Sequence, residues 1–457
     1  MAHLVTVVGA GLAGSEAALQ LADRGVAVRL VEMRPVKGTP VHKGGGLAEL
    51  VCSNSLKSMK PDSAAGMLKE ELAALGSHVL AAAKNNQVAA GGALAVDRDK
   101  FSLEITAQVE NHPNIELVRR EAVDVAQEAK LCDALILASG PLTSDALSES
   151  LMRLTGEDHM AFYDAAAPVV MADSLDFDKL FKQSRYEEGE GDYLNAAFTK
   201  EEYDEFIDAL LNADRVIKKS FESKDLFQAC QPIEEIARAG HDAPRFGTLK
   251  PVGLTDPRTG KRPWAALQLR AEDAHGSCYN LVGFQTNLTF PEQRRVFSMI
   301  PGLENAEFAR YRVMHRNTFI NAPKLLVNHG RLCSEQAEKL GVPVYIAGQL
   351  SGTEGYCEAI RSGLHVALAV YGDLNGIELP ELSEETVYGA LLAYATNEET
   401  LDYQPMHVNF GILKPFEQKI KNKKERYAAY AERGKEMLDD YVVQLQRAGL
   451  LGVSEAE

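Results

Sequence analysis

No stretch of the 457 residues is long and apolar enough to suggest a bilayer span, and the six cysteines (Cys52, Cys132, Cys230, Cys278, Cys333 and Cys357) contain no Cys-x-x-Cys pair. The first absence points away from a membrane. The second indicates neither a metal knuckle nor a disulfide scaffold, so each cysteine is judged alone. Lys and Arg are missing before Val5 and glycines break the first apolar stretch. No secretory leader is expected from that pattern, and the chain is expected to be cytoplasmic. Positive charge is also short: the formal net charge is −17. Such a chain does not coat nucleic acid indiscriminately. Local clusters can still guide a polyanion, and Lys414 to Arg426 (KPFEQKIKNKKER) and Arg310-Tyr311-Arg312 with His315-Arg316 are two. Among the first of these, Lys419, Lys421, Lys423 and Lys424 are the expected contacts, the plain alternative being a solvated helix face.

What is present begins at residues 5–32, VTVVGAGLAGSEAALQLADRGVAVRLVE. An apolar strand runs into Gly9-Ala10-Gly11-Leu12-Ala13-Gly14, an Ala-rich helix follows, and a second strand ends at Glu32. Gly9 allows the turn, Gly11 lets backbone approach a pyrophosphate, and Gly14 lets helix and sheet pack closely. The helix N-terminus offers N–H groups to phosphate, and Glu32 stands where a carboxylate reaches a ribose hydroxyl. The ligand class is a dinucleotide.

The α/β alternation continues with a helix from about Ser63 to Leu75, a helix over Phe101 to Glu110, a strand at Ile115 to Val118, and a buried strand Leu131 to Ala138 ending in Ser139-Gly140-Pro141. From Thr143 the composition shifts to Tyr, Phe, Asp and Glu, with strand-like pieces at Trp264 to Arg270 and Tyr279 to Gln285. The α/β pattern returns at residues 342–370, where strand Val344 to Ala347 meets Gly348, a loop carries Thr353-Glu354-Gly355, and a small-residue helix follows. Two distant halves building one site favour FAD over NAD. The expected fold is α/β, a Rossmann-like FAD-binding domain (1–142 and 329–457, the latter with C-terminal helices) with an inserted α+β domain (143–328). Gly140, Gly348, Glu354 and Gly355 join the glycine loop and Glu32 as cofactor contacts. Residues Asn397 to Pro415 read as too polar and Pro-rich for a core element.

Two cysteines have reactive surroundings. Cys52 lies in AELVCSNSLKS, among turn residues and near Lys57 and Lys60; a cationic loop favours thiolate. Cys230 lies in LFQACQPIEEIARAG, where Pro232 suits a first helical position and Gly240 the residue after the helix end. The dipole there favours thiolate, with Glu234 and Glu235 opposing it. Each cysteine also fits the ordinary role of a buried small apolar residue. Cys132 opens an apolar strand and reads as structural. Polar strings at AAGGALAVDRDKF (with Arg98), LVGFQTNLTF (Gln285, Asn287) and MHRNTFINAPKLL (His315, Arg316, Asn317, Asn321) are turns singly and a wet cleft together.

Over nearly its whole length the chain resembles the folate- and FAD-dependent tRNA (uracil-5-)-methyltransferases, the TrmFO family. The strings that carry the likeness include VVGAGLAGSEAA, VEMRPVKGTPVH, AELVCSNSLKS, GGALAVDRDKFS, KPVGLTDPRTGKRP, NLVGFQTNL, AGQLSGTEGY and QPMHVNFGIL. The resemblance places the family's two functional cysteines on Cys52 and Cys230. It implies FAD as carrier and reductant, 5,10-methylenetetrahydrofolate as one-carbon donor, NAD(P)H as electron source and tRNA as substrate, with no metal and no membrane. It further implies attack by a thiolate on uracil carbon 6 and removal of the carbon 5 proton by a second group. Cys230 is the expected nucleophile and Cys52 the expected base, the order of roles being open. The family's His-x-Thr-Asp-x-Phe string is replaced here by His42-Lys43-Gly44-Gly45-Gly46-Leu47, and its Asn-Cys-Pro-Met run by YLNAAF (193–198). Alternatives are the same chemistry on ribosomal RNA and a non-catalytic flavin-dependent binding module. The related flavoprotein that builds aminomethyl groups on wobble uridine carries a longer helical C-terminal domain.

Overall fold

The first strand, Leu4–Val8, is apolar but for Thr6 and is buried on both sides from Val5 onward, as suits a central strand of a parallel sheet. It pairs in parallel with Ala27–Glu32 and with Ala134–Leu137, placing Val5 opposite Val28 and Ala134. Ile115–Arg119 extends one side and Val344–Ile346 the other, also in parallel. The antiparallel pair Leu326–Val327 and Arg331–Leu332 closes the far edge of this seven-stranded sheet. Strand order reverses about Leu4–Val8, so a crevice opens beyond the carboxyl end of that strand, where ligands bind in such sheets. In this computed structural model the described residues are 3–39, 41–42, 44–156, 160–164, 167–187, 189, 191–216, 231–271, 276–310, 315–327, 329–400, 403–418 and 420–452, with backbone alone for 160–164, 309–310 and 315–317. No helix among them is long and apolar enough to cross a membrane.

Two helices flank the crevice. Leu12–Asp23 and Tyr356–Asn375 press together so closely that a β-carbon on Gly363 would lie 2.2 Å from the Ala13 carbonyl oxygen. The Ala64–Ala74 helix carries Glu71, whose buried carboxylate accepts the N–H groups of Val387 (2.9 Å) and Tyr388 (3.2 Å) and pairs with buried Arg361 at 3.4 Å. That carboxylate anchors the Val387–Thr396 helix to the cofactor side of the molecule.

A second sheet, antiparallel throughout, has the order Leu180–Lys182, Tyr193–Phe198, Ala265–Ala271, Cys278–Leu281, Val169–Met171 and Phe308–Arg310. The Lys200–Leu211 helix packs Tyr203, Phe206 and Ile207 into its core. A two-stranded ribbon, Met160–Asp164 with His315–Phe319, stands where the chain enters and leaves this unit. The Asp145–Thr155 helix puts Leu147, Leu151 and Leu154 among Val8, Leu135 and Leu137 of the parallel sheet.

Several elements differ from the sequence reading. The strand expected over Leu131 to Ala138 is regular only at Ala134–Leu137, because Cys132 is held in a turn whose thiol meets the Glu128 carbonyl at 3.4 Å. The Tyr279 to Gln285 strand stops at Leu281, where Gly283 turns the chain. The segment Asn397 to Pro415, expected outside the core, buries Tyr403, Val408 and Leu413. It is irregular but hydrogen-bonded: Met406 N–H donates to Gly352 O and Glu354 N–H to Met406 O, each at 2.9 Å.

Candidate functional site

Each glycine of the first loop meets a different constraint. Added β-carbons would lie 2.6 Å from the Ala138 oxygen at Gly9 and 1.8 Å from the Gly9 oxygen at Gly14, whereas at Gly11 nothing lies within 4 Å. Gly9 and Gly14 are therefore packing glycines. Gly11 faces open space, in extended backbone (φ −73°, ψ −165°) at the cap of the Leu12–Asp23 helix. The returning half meets the same place: Gly348 takes φ +72°, and a β-carbon there would fall 2.7 Å from that of Ala13.

These elements line an open cleft. Gly9, Gly11, Leu12, Ala13, Glu32, Gly140, Gly348 and Gly355 line it. Ala10, Gly14 and Glu354, also expected as contacts, do not line it. Ala10 donates its N–H to Glu32 Oε2 at 2.9 Å, Gly14 supports the loop from behind, and buried Glu354 accepts from the Gln349 amide. Glu32 Oε1 accepts from Arg34 N–H (2.9 Å) and Nε (2.8 Å). Burial opposes its charge, but Arg34 prevails and holds the carboxyl below its ordinary range. Three of a carboxylate's roughly four lone-pair directions are used, leaving one for a ribose hydroxyl. The open face at Gly11, the helix N-terminus and Glu32 together fit an adenine dinucleotide such as FAD.

Cys52 stands at the rim of this cleft. Its own N–H (2.8 Å) and that of Ser53 (3.1 Å) donate to the Tyr356 hydroxyl, and Val51 and Tyr356 both line the cleft. Burial, then the neighbouring Cys52, raise the Tyr356 phenol well above its ordinary value, so it remains an O–H. Arg98 is buried and donates Nη1 to Leu50 O at 2.8 Å. The second sheet reaches the same loop: Arg270 donates to Ser53 Oγ (2.7 Å) and Asn54 Oδ1 (2.8 Å), and Asn54 donates to Ala271 O (3.0 Å). Lys57, expected beside the thiol, is paired with buried Glu358 at 3.4 Å.

Cys230 lies outside the described residues. Both flanks of its segment are held on one polar stretch: Val216 N–H donates to Asn287 O and Ile233 N–H to Gln285 O, each at 2.8 Å. Pro232 caps the Ile233–Ala239 helix rather than opening it. Glu234 is fully buried and accepts from Asn287 N–H (2.5 Å) and Thr286 Oγ1 (3.1 Å). Burial pushes its carboxyl up to about 7 against those hydrogen bonds, so the negative charge expected to oppose a nearby thiolate is weakened. Glu235 is paired with Arg215 at 2.7 Å.

Because the folded protein holds a proton on Glu234 that the unfolded chain releases above about pH 4.3, this group's contribution to stability is greatest below that pH. It declines as pH rises towards about 7, by on the order of 3 kcal/mol. Glu234→Gln is expected to remove that share of the slope. Urea unfolding at pH 5.5 and 7.5 checks this, and an unchanged slope in the variant contradicts it.

Sequence reasoning missed Tyr356, Arg34, His42, Glu49 and Arg120, all lining the cleft. Tyr356 directly follows the helix-starting Gly355, the only local signal it offered. Among the described residues no group of three or more His, Cys, Asp or Glu is placed to hold a metal. The side chains of His315, Arg316 and Asn317, like Lys419, lie outside the description, while Lys421, Lys423 and Lys424 are exposed.

A family model described as glucose inhibited division protein A matches residues 4–378. A Bacillus subtilis protein named methylenetetrahydrofolate--tRNA-(uracil-5-)-methyltransferase TrmFO is 49% identical over 434 residues, covering 95% of this chain and 97% of the relative. One of the same name from Geobacter sulfurreducens is 51% identical over 447 residues, covering 97% and 99%. Among solved structures, Aquifex aeolicus GidA in its form I crystal superposes with a TM-score of 0.68 at 16% identity, over 98% of this chain and 79% of that one. That likeness concerns the fold.

Proposed function

Because this chain belongs to the TrmFO family, within the glucose inhibited division protein A group, we propose that it transfers the one-carbon unit of 5,10-methylenetetrahydrofolate to carbon 5 of the T-loop uridine of tRNA, forming 5-methyluridine. It is a folate- and FAD-dependent enzyme, with NAD(P)H as electron source. FAD, when bound, supplies the carrier for the one-carbon unit and the hydride that completes the methyl group. The observation that carries the reading is the suspension of the Cys52 loop from Tyr356 at the rim of the glycine-lined cleft.

The chain's own residues divide the work. Gly11 and the N–H groups behind it admit the pyrophosphate, and Glu32 takes a ribose hydroxyl. The Cys230 thiolate bonds to uracil carbon 6, raising electron density at carbon 5 so that it can accept the one-carbon unit. Cys52 then takes the carbon 5 proton onto its sulfur, and loss of Cys230 restores the double bond. Cys52 belongs in sequence to the cofactor-binding part (1–142 with 329–457) and Cys230 to the inserted part (143–328), so on this reading the base is clasped from two sides. Lys421, Lys423 and Lys424, at a helix N-terminus where cations gain nothing from the dipole, belong to the RNA-contacting face. A cytoplasmic location accords with the substrate.

The test uses holoenzyme, NAD(P)H, unmodified tRNA and folate labelled in its methylene carbon. Label is expected in 5-methyluridine of the tRNA. Label arriving from S-adenosylmethionine and none from folate overturns the reading; label confined to ribosomal RNA in a mixed-substrate assay replaces tRNA by the other target.

A further inference from the structure

Beyond the reacting uridine, the chain carries a second feature suited to RNA. Residues 245–264, RFGTLKPVGLTDPRTGKRPW, hold five cations against one carboxylate, in a chain of formal net charge −17. That carboxylate, Asp256, is already neutralised by Arg258 at 2.8 Å. Lys250, Lys261 and Arg262 have no carboxylate partner among the described residues. Phe246 is 83% exposed and Tyr186 70%, values that no other aromatic side chain among the described residues reaches. Tyr186 is tied to this segment by its N–H to Gly253 O at 3.0 Å, and Lys250 Nζ lies 6.0 Å from its ring. Arg245 lies 3.5 Å over the ring of Trp264, the chain's single tryptophan.

We propose that this segment, with Tyr186 against it, docks the tRNA outside the target uridine, its cations meeting phosphates and Phe246 and Tyr186 stacking on unpaired bases. Exposed rings beside cations are what single-stranded RNA uses, since every base has a face to stack and every linkage a charge. An acidic polypeptide would meet the cations but has no use for the rings. Unpaired cations also raise local anion concentration where the rest of the surface repels it.

The position is suitable. The Ala265–Ala271 strand begins beside Trp264 and ends where Arg270 grips Ser53 and Asn54. At ~3.3 Å per residue it spans roughly 20 Å, a length along which a duplex presents on the order of ten phosphates. Midway, Gln268 accepts from Arg185 Nε at 2.8 Å, and Arg185 Nη1 donates to Val252 O at 3.1 Å, fastening patch and strand together. A tRNA arm seated on the patch is thereby held at a fixed distance from Cys52.

The inference rests on the methyltransferase reading, and its test separates the two. Holoenzyme is titrated with unmodified tRNA at several salt concentrations, following Trp264 fluorescence and, in turnover, KM and kcat separately. The Lys261→Glu/Arg262→Glu pair is expected to raise KM for tRNA at least tenfold and to lower the salt slope by roughly one to two, with FAD content and kcat retained. Phe246→Ala is expected to raise KM about tenfold, and Phe246→Tyr to restore it. Unchanged KM and salt slope in both variants, with wild type methylating normally, overturns the patch alone. Failure of the wild type to methylate tRNA overturns the parent reading and the patch with it. Competition by polyglutamate as strong as by a single-stranded RNA of equal charge also overturns it, in favour of an acidic polypeptide.

Discussion

Gly11→Val is expected to give a folded but colourless protein. A β-carbon at position 11 meets nothing within 4 Å, and the backbone there is extended, so the substitution costs the fold little. The branched side chain instead occupies the space through which a pyrophosphate must approach the N–H groups of the Leu12–Asp23 helix. Losing that approach should weaken FAD binding by at least about 3 kcal/mol, roughly a hundredfold. Gly14→Val is expected to differ in kind, because its β-carbon would stand 1.8 Å from the Gly9 oxygen. That variant loses stability along with flavin. Flavin absorbance per mole of protein after desalting, paired with the urea midpoint of each variant, separates the two effects. Normal flavin in Gly11→Val contradicts the assignment of the cleft.

The contrast between these glycines shows how far sequence alone reached. Strand, glycines, helix and terminal acid lie within 28 consecutive residues, so the physics that positions them is local and can be read directly. The helix expected from about Ser63 to Leu75, observed as Ala64–Ala74, was legible for the same reason: its cap, Ser63, accepts from Gly66 N–H three residues on. The return of residues 344–375 to the same cleft was legible from its strand, glycine and small-residue helix.

What escaped were contacts made across long separations. That Tyr356 would hold Cys52 by its hydroxyl depends on two segments 304 residues apart, and no periodicity reports it. Arg270 reaching Ser53 is of the same kind. The Asn397 to Pro415 segment was misjudged because its polarity was read as exposure. Its backbone groups are paired with Gly352 and Glu354, which allows an irregular stretch to bury Tyr403 and Val408 without an unsatisfied N–H at Met406. The loop at His42 to Leu47 has its own logic: a β-carbon at Gly46 would lie 2.5 Å from Ser102 Oγ, and His42 reaches the cleft.

The other large effect concerns the two sulfurs. Bond formation at carbon 6 and proton removal at carbon 5 occur on adjacent ring atoms, so the proposed roles require Cys52 and Cys230 both to come within a few Å of one base. Loss of the nucleophile removes the covalent route altogether, and Cys230→Ala is expected to bring methylation to background. Loss of a general base costs roughly a hundredfold to ten-thousandfold, and it does so after the covalent bond has formed. The most direct measurement is therefore denaturing electrophoresis of each variant holoenzyme incubated with tRNA, methylenetetrahydrofolate and NAD(P)H. Cys52→Ala should accumulate a protein–RNA adduct while methylating little, and Cys230→Ala should show neither adduct nor product. The reverse pattern exchanges the two roles; normal methylation by both variants contradicts the mechanism.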